Sequence, residues 1–225
     1  MINDLAEIEE SFGLDAQGFK SRKSYNIIPG SMVAAVLHTD SRQMVPLQWG
    51  FVPAWAGKGK SLKPIINARA ETVAQKPSFR SAFRKRRCLV VASGYYEWKG
   101  KARGKIPYFV RLKSRKPFGF AAIYDLPISS GAAVRACAII TTGSNSLTAS
   151  IHHRMPVILS PSFYDEWLNP VQTNESKLLE FLKPYAVGEM EAYEVATLVN
   201  SPQNDIPKCI EPVSPCNMYA EGTLR

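Results

Sequence analysis

Five polar side chains stand out because each is bracketed by apolar or aromatic neighbours. Asn67 and Arg69 lie in Ile66-Asn67-Ala68-Arg69-Ala70-Glu71-Thr72, Glu97 in Ser93-Gly94-Tyr95-Tyr96-Glu97-Trp98-Lys99, and His152 and Arg154 in Ser150-Ile151-His152-His153-Arg154-Met155-Pro156. Strands and turns would bury such groups, a placement suited to a site rather than to a solvated face. A carboxyl group walled by aromatic rings keeps its proton closer to neutrality than a solvated one and can both donate and accept it. Glu97, between Tyr95-Tyr96 and Trp98, is therefore the general acid/base candidate; the alternative is a strand-end glutamate paired with one of the many cations. Histidine titrates near pH 7 unperturbed, so the adjacent His152 and His153 offer a second proton-transfer group, although a histidine is more often structural. Asn67 and Arg69, two residues apart, would project to the same side of an extended segment, one to orient a substrate and the other to hold an anion. Arg69 and Arg154 suit bidentate contacts to phosphate, while Arg69-Ala70-Glu71 reads equally as a local salt-bridged turn.

Charge points to the kind of partner. The net charge is +9 and the isoelectric point about 9.4, with basic runs at residues 20–23, 58–63, 80–87, 99–105 and 111–116, so the first half is the more basic. Any one run reads as a solvated loop, but five runs beside Trp49, Trp55, Tyr95, Tyr96 and Trp98 favour a nucleic-acid surface. These aromatics could stack on bases or fill a core. Trp49-Gly50-Phe51-Val52-Pro53-Ala54-Trp55 reads as a rigid exposed loop, and Tyr25-Asn26-Ile27-Ile28-Pro29-Gly30 as a turn. Four cysteines, Cys88, Cys137, Cys209 and Cys216, lack metal-ligand spacing, so no metal and no cofactor are expected. Cys88 and Cys137 lie in apolar runs and should be small buried hydrophobes. No apolar run approaches the roughly 18 residues that span a bilayer, and the start lacks the pattern of a signal peptide, so a cytoplasmic protein, nucleoid-associated when bound to DNA, is expected.

The elements that must position these groups are mostly strands. Asn3 is expected to cap a helix with Leu5, Ile8 and Phe12 on one face, ending at Gly13. Residues 32–38 and 43–51 form a hairpin around Asp40-Ser41, with Pro46 marking an edge or bulge. Further strands are expected at 87–92, 108–113, 119–124, 134–142, 156–159 and 190–198. Helices are expected at 77–85, at 145–150, from Ser160-Pro161 through Trp167-Leu168, and at 174–182, where Leu178, Leu179 and Leu182 make an apolar stripe. Because strands and helices do not alternate regularly, the fold class is α+β: a single domain over residues 1–213, with a largely antiparallel, barrel-like sheet flanked by short helices. Residues 214–225 read as a loose tail.

With Tyr25 to Gly30 and Trp49 to Trp55 upstream, the three motifs closely resemble the SRAP family, the SOS-response-associated peptidases, over about residues 5–213. The resemblance implies a single-domain α+β protein that binds single-stranded DNA and reacts with abasic sites, with a related autoproteolytic activity. In the family an N-terminal cysteine attacks the sugar aldehyde: its α-amine, with a pKa of about 8, forms a Schiff base and its thiol closes a thiazolidine. Carried over by motif, Glu97 and His152, rather than His153, move protons in ring opening and closure, and Asn67 positions the N-terminus or the sugar. The implied DNA-binding set is Arg69, Arg154, Trp49, Trp55, Trp98, Asn26, Pro29 and Thr141, acting on single-stranded DNA as a monomer. The chain departs from the family at its start, reading Met1-Ile2-Asn3-Asp4 where the family has Met-Cys-Gly-Arg, and Ser93 stands where an aspartate is usual. The expectation is a natural start some codons upstream. The alternatives are a noncovalent single-stranded nucleic-acid binder without the nucleophile, or an RNA-binding module.

Overall fold

The computed structural model describes residues 3–20, 22–53, 63–100, 104–125 and 135–213. Trp55, Cys216, much of the basic runs at 58–63 and 99–105, and the expected tail lie outside these residues. Helix α1 (Leu5–Phe12) starts one residue later than the sequence suggests. Asp4, with extended backbone, is the cap: its carboxylate accepts the Glu7 N–H at 3.1 Å. Asn3 is too early to do so and instead donates to the Glu7 carboxylate and to the Arg115 carbonyl. The helix stops at Gly13, whose φ of +58° closes the last turn, and Ile8 and Phe12 are its buried face.

Eleven strands among the described residues make up two sheets. Strands β1 (Met32–His38) and β2 (Arg42–Trp49) form the expected hairpin, in register from Met32 opposite Gln48 to His38 opposite Arg42. Pro46 sits where β2 has only β1 as a neighbour, which accommodates a residue without an N–H. Strands β3 (Asn67–Arg69), β4 (Arg87–Ala92), β7 (Phe118–Asp125), β8 (Ala136–Gly143), β9 (Arg154–Pro156) and β10 (Ile158–Leu159) complete this sheet, with β5 (Tyr95–Lys99), β6 (Ile106–Leu112) and β11 (Met190–Glu194) making a second, antiparallel one. The pairings β1–β2, β2–β8, β8–β7, β7–β4 and β4–β1 close a ring of five strands. Among the described residues only β8 makes parallel pairs, with β2 and β3, so the barrel-like and largely antiparallel sheet is present.

Alternation along the ring strands sorts the core into two layers. Cys88 and Val90 join Ala35, Leu47, Ala122, Cys137 and Ile139 in a cluster drawn from all five ring strands. Leu89 and Val91 point the other way, toward Ile8, Phe12, Phe83, Trp167 and Leu178 of the helices. Helices α2 (Arg80–Lys85), α3 (Tyr164–Leu168) and α4 (Glu175–Glu180) cover that outer face. The helix expected over 174–182 ends at Glu180, and its stripe is narrower, since Leu178 and, just beyond the helix, Leu182 are buried while Leu179 is exposed. Arg87, counted above in a basic run, is not available to a polyanion: its buried guanidinium donates to the carbonyls of Phe83, Arg84, Trp167, Asn169 and Gln172. Burial pulls its pKa down to about 10, so it remains a cation that ties the ends of α2 and α3 to β4.

Three expected elements differ. Residues 145–150 are turns rather than a helix, because the Asn145 side chain accepts from both the N–H and the hydroxyl of Thr148. The expected strand at 156–159 is split: β9 pairs with β8 and β10 with β7, around Val157, which bonds to both neighbours. The last strand ends at Glu194, and residues 197–200 wind into a 3-10 turn. Cys88 and Cys137 are fully buried, as expected, and burial pushes the Cys88 thiol well up and Cys137 up to about 12. No described helix is long and apolar enough to cross a membrane.

Candidate active site

The motif around Glu97 forms β5, a strand not assigned from sequence. Gly94 leads into it because a Cβ there would lie 2.8 Å from the Val110 carbonyl oxygen and against the Phe109 ring. On β5 the side chains alternate. Tyr95 packs toward the barrel cluster, whereas Tyr96 and Trp98 pack with Phe109, Val195 and Val199 on the opposite side. Tyr96 donates its hydroxyl to the Tyr25 carbonyl at 2.6 Å, and Trp98 donates its indole N–H to Asn200 Oδ1 at 2.7 Å. Burial raises the pKa of both Tyr95 and Tyr96 well above that of a free tyrosine, so they are neutral walls rather than acids.

Glu97 shares its face with Tyr95 and meets His152, with Oε2 3.7 Å from Nδ1 and side-chain exposures of 25% and 38%. That distance is too long for a hydrogen bond, and both groups remain open to a reactant. His152 leaves the turns at 145–151 with its own N–H bonded to the Thr148 carbonyl. The Arg154 backbone N–H lies 3.2 Å from Nδ1 and can only donate, so a neutral ring with its proton on Nε2 accepts there. A protonated ring would instead turn its Nδ1–H to the Arg154 carbonyl, also 3.2 Å away, or to Glu97. The sequence-expected pair is thus assembled from segments 55 positions apart, β5 and the approach to β9.

Arg154 and Arg69 converge on β8 from its two sides. Arg69 is opposite Thr141 in the parallel pairing, and Arg154 is opposite Gly143 in the antiparallel one. Asn67 and Arg69 are exposed on one face of β3 while Ala68 between them is buried, as their spacing suggested. Thr141 Oγ1 lies 3.5 Å from the Ala68 carbonyl and 3.3 Å from Arg154 Nη2. Arg154 is already engaged: Nη1 and Nη2 donate to Glu71 Oε1 and Oε2 at 2.7 and 3.0 Å, and Nη2 also to the Thr141 carbonyl at 2.5 Å. The Arg154 hydrogen bond is the leading reason that the Glu71 carboxyl is held below its ordinary range, and Arg69 adds to it. The salt-bridged turn read from Arg69-Ala70-Glu71 is therefore a longer-range pair, Glu71 with Arg154.

The loop carrying Asn26 and Pro29 is clamped from the far end of the chain. Asp205 Oδ1 accepts from the N–H groups of Tyr25 and Asn26 at 2.5 and 3.0 Å and from the Ser24 hydroxyl at 3.1 Å. Partial burial works against the charge on Asp205, but these donors outweigh it and hold its pKa below the usual value. Asn26, expected on the DNA face, directs its amide N–H groups inward to the carbonyls of Val199, Ser201 and Asn204. Pro29 is exposed, and Gly30, at φ +92°, returns the chain to the sheet by donating to the Trp49 carbonyl at 2.7 Å. Trp49 is half-buried and pins the entry to β3 through its indole N–H to the Ile66 carbonyl at 2.9 Å. Trp49 and Trp98 are thus anchors with partly exposed rings, not free stacking platforms. No group of three His, Cys, Asp or Glu side chains among the described residues is placed to hold a metal.

Sequence reading overlooked Asp205 and the role of Glu71. No local signal marks either one, since their partners lie about 180 and 83 positions away.

A sequence profile described as SOS response associated peptidase (SRAP) matches residues 1–202. The chain is 40% identical over 217 residues to the abasic site processing protein YoqW of Bacillus subtilis, covering 94% of this chain and 96% of that protein. It is 42% identical over 185 residues to the abasic site processing protein YoaM of the same organism, covering 81% and 82%. A crystal structure of a protein from Bacteroides thetaiotaomicron superposes with a TM-score of 0.82 at 29% identity, covering 95% of this chain and 98% of that one.

Proposed function

The chain belongs to the SRAP family, and we propose that within it this protein processes abasic sites in single-stranded DNA by forming a covalent link to the opened sugar. The observation that carries this reading is the Glu97–His152 pair, two proton-transfer groups 3.7 Å apart that remain open to solvent. An abasic sugar is mostly a closed hemiacetal. His152, with its proton on Nε2, gives that proton to the ring oxygen as the C1′ hydroxyl loses its own, which frees the aldehyde. A primary amine then adds to C1′, and Glu97 protonates the departing hydroxyl so that water leaves and a Schiff base forms. A neighbouring thiol adds across the C=N bond and closes a thiazolidine. In this reading both nucleophiles belong to one N-terminal cysteine. Met1-Ile2-Asn3-Asp4 contains no cysteine, so the covalent step requires one placed directly after an initiator methionine.

Asn67 and Arg69 on β3, with Arg154 across β8, would orient the sugar and hold the flanking phosphates. The exposed Pro29 and the edges of Trp49 and Trp98 would meet the bases. The test is a binding titration with single-stranded and duplex oligonucleotides across a salt series. The expected result is preference for the single strand with affinity falling steeply as salt rises, about 0.7 in logarithmic slope for each phosphate neutralised. Equal affinity for both forms, or binding indifferent to salt, would remove the DNA-groove reading.

A further inference from the structure

Glu71 places a negative charge between the two arginines read above as phosphate contacts. Its carboxylate takes the Arg154 guanidinium through two parallel bonds of 2.7 and 3.0 Å, the geometry in which a guanidinium also takes a phosphate. Arg69, two residues upstream, adds to the attraction on the same carboxylate. The Glu71 side chain is 53% exposed, on the turn that follows β3, and can swing into solvent. Arg154 does not depend on it for its place: only 19% of its side chain is exposed, and the carbonyl and hydroxyl of Thr141 hold it as well.

We propose that Glu71 is a specificity-determining residue of the DNA site, an internal stand-in for a phosphodiester that occupies Arg154 in the free protein and must be displaced by the bound strand. This rests on the reading of Arg69 and Arg154 as phosphate contacts. A strand whose phosphate seats between the two arginines replaces the carboxylate and sends it into water, where its charge is screened. A polyanion that only passes over the basic face meets Glu71 in place and is repelled, which is how like charge suppresses wrong partners.

The experiment is a set of fluorescence titrations with a single-stranded oligonucleotide and with heparin, a polyanion of different charge spacing. The proteins are the unaltered chain, Glu71→Gln, Arg69→Gln, Arg154→Gln and, as a control for net charge, Glu166→Gln on α3. Glu71→Gln keeps an oxygen for Arg154 and removes the charge. It should bind the oligonucleotide about 3- to 10-fold more tightly, the effect of deleting one like charge near the phosphate in a wet site. Heparin should gain more than the oligonucleotide, so that the ratio of the two affinities falls, while Glu166→Gln moves either by less than about 2-fold. Glu71→Ala should change affinity in the same direction, and melting curves confirm that each variant is folded. Unchanged or weaker oligonucleotide binding in both Glu71 variants, with the arginine variants weakened, overturns the inference and leaves the phosphate contacts standing. If neither Arg69→Gln nor Arg154→Gln weakens binding, the phosphate reading itself is wrong.

Discussion

Replacing Asp205 by alanine should release the Tyr25–Gly30 loop without unfolding the barrel. The Asp205 carboxylate accepts two backbone N–H groups, at 2.5 and 3.0 Å, and the Ser24 hydroxyl at 3.1 Å. Its partner Arg22 has 86% of its side chain exposed, so that ion pair adds little. A hydrogen bond to a charged group contributes about 1.5–3 kcal/mol net. With 22% of the Asp205 side chain exposed, the low end applies, and the two N–H bonds together give roughly 3 kcal/mol. That energy corresponds to about a 100-fold rise in the fraction of molecules with the loop open. Amide hydrogen exchange reads it directly: the Tyr25 and Asn26 amides should exchange about 100-fold faster in Asp205→Ala, while Val36 and Leu89 in the ring strands keep their protection. DNA affinity should fall because the loop no longer presents Pro29. The pH dependence carries the same signature. The Asp205 pKa is depressed in the folded state, so its contribution is present above the unfolded value of about 3.9 and is lost as pH falls through the lower folded value. Unchanged protection of Tyr25 and Asn26 in the variant would refute the clamp.

Three other expectations concern separate parts of the molecule. Arg87→Met should lower unfolding free energy by about 3 kcal/mol or more in urea denaturation, since it strands the carbonyls that the guanidinium now serves; a change below about 1 kcal/mol would contradict this role. Cys88 and Cys137 should resist a maleimide in the native protein at pH 7 to 8 and react only on unfolding, because burial holds both thiols protonated; fast labelling of either, read by mass spectrometry, would contradict their placement. Trp98→Phe should loosen the 3-10 turn at 197–200 by about 1 kcal/mol through loss of the Asn200 bond, seen as faster exchange of the Val199 amide, and unaltered exchange would count against it.

Legibility from sequence followed how local the cause of each feature is. Helix α1 was readable because Ile8, Phe12 and Gly13 mark its face and its end within one short stretch. Strand β4 was readable because Cys88, Leu89, Val90 and Val91 are buried on both faces and leave an unbroken apolar run. Strand β5 was not, since Tyr95 to Trp98 are half-buried on both sides and show no polar face for alternation to reveal. For the candidate site, residue types in apolar surroundings drew attention to Glu97 and His152, which the fold sets 3.7 Å apart, and to Asn67 and Arg69, which share one face of β3. What escaped was commitment. Asn26, Arg154 and Trp49 are polar or aromatic residues that look free in sequence, yet each is engaged by a partner from another segment. Asp205 and Glu71 are ordinary acidic residues until the fold brings backbone amides and a guanidinium to them.

The most direct measurement is adduct formation with an abasic single-stranded oligonucleotide, timed on a denaturing gel, for this chain given a cysteine directly after its initiator methionine. The account predicts a heat-stable adduct that this chain, beginning Met1-Ile2, forms little of. Glu97→Gln should slow the adduct at least about 10-fold with little loss of DNA affinity, and His152→Ala should also slow it, while His153→Ala does not. An adduct formed at full rate with both Glu97 and His152 replaced would contradict the account and leave the pair an architectural contact.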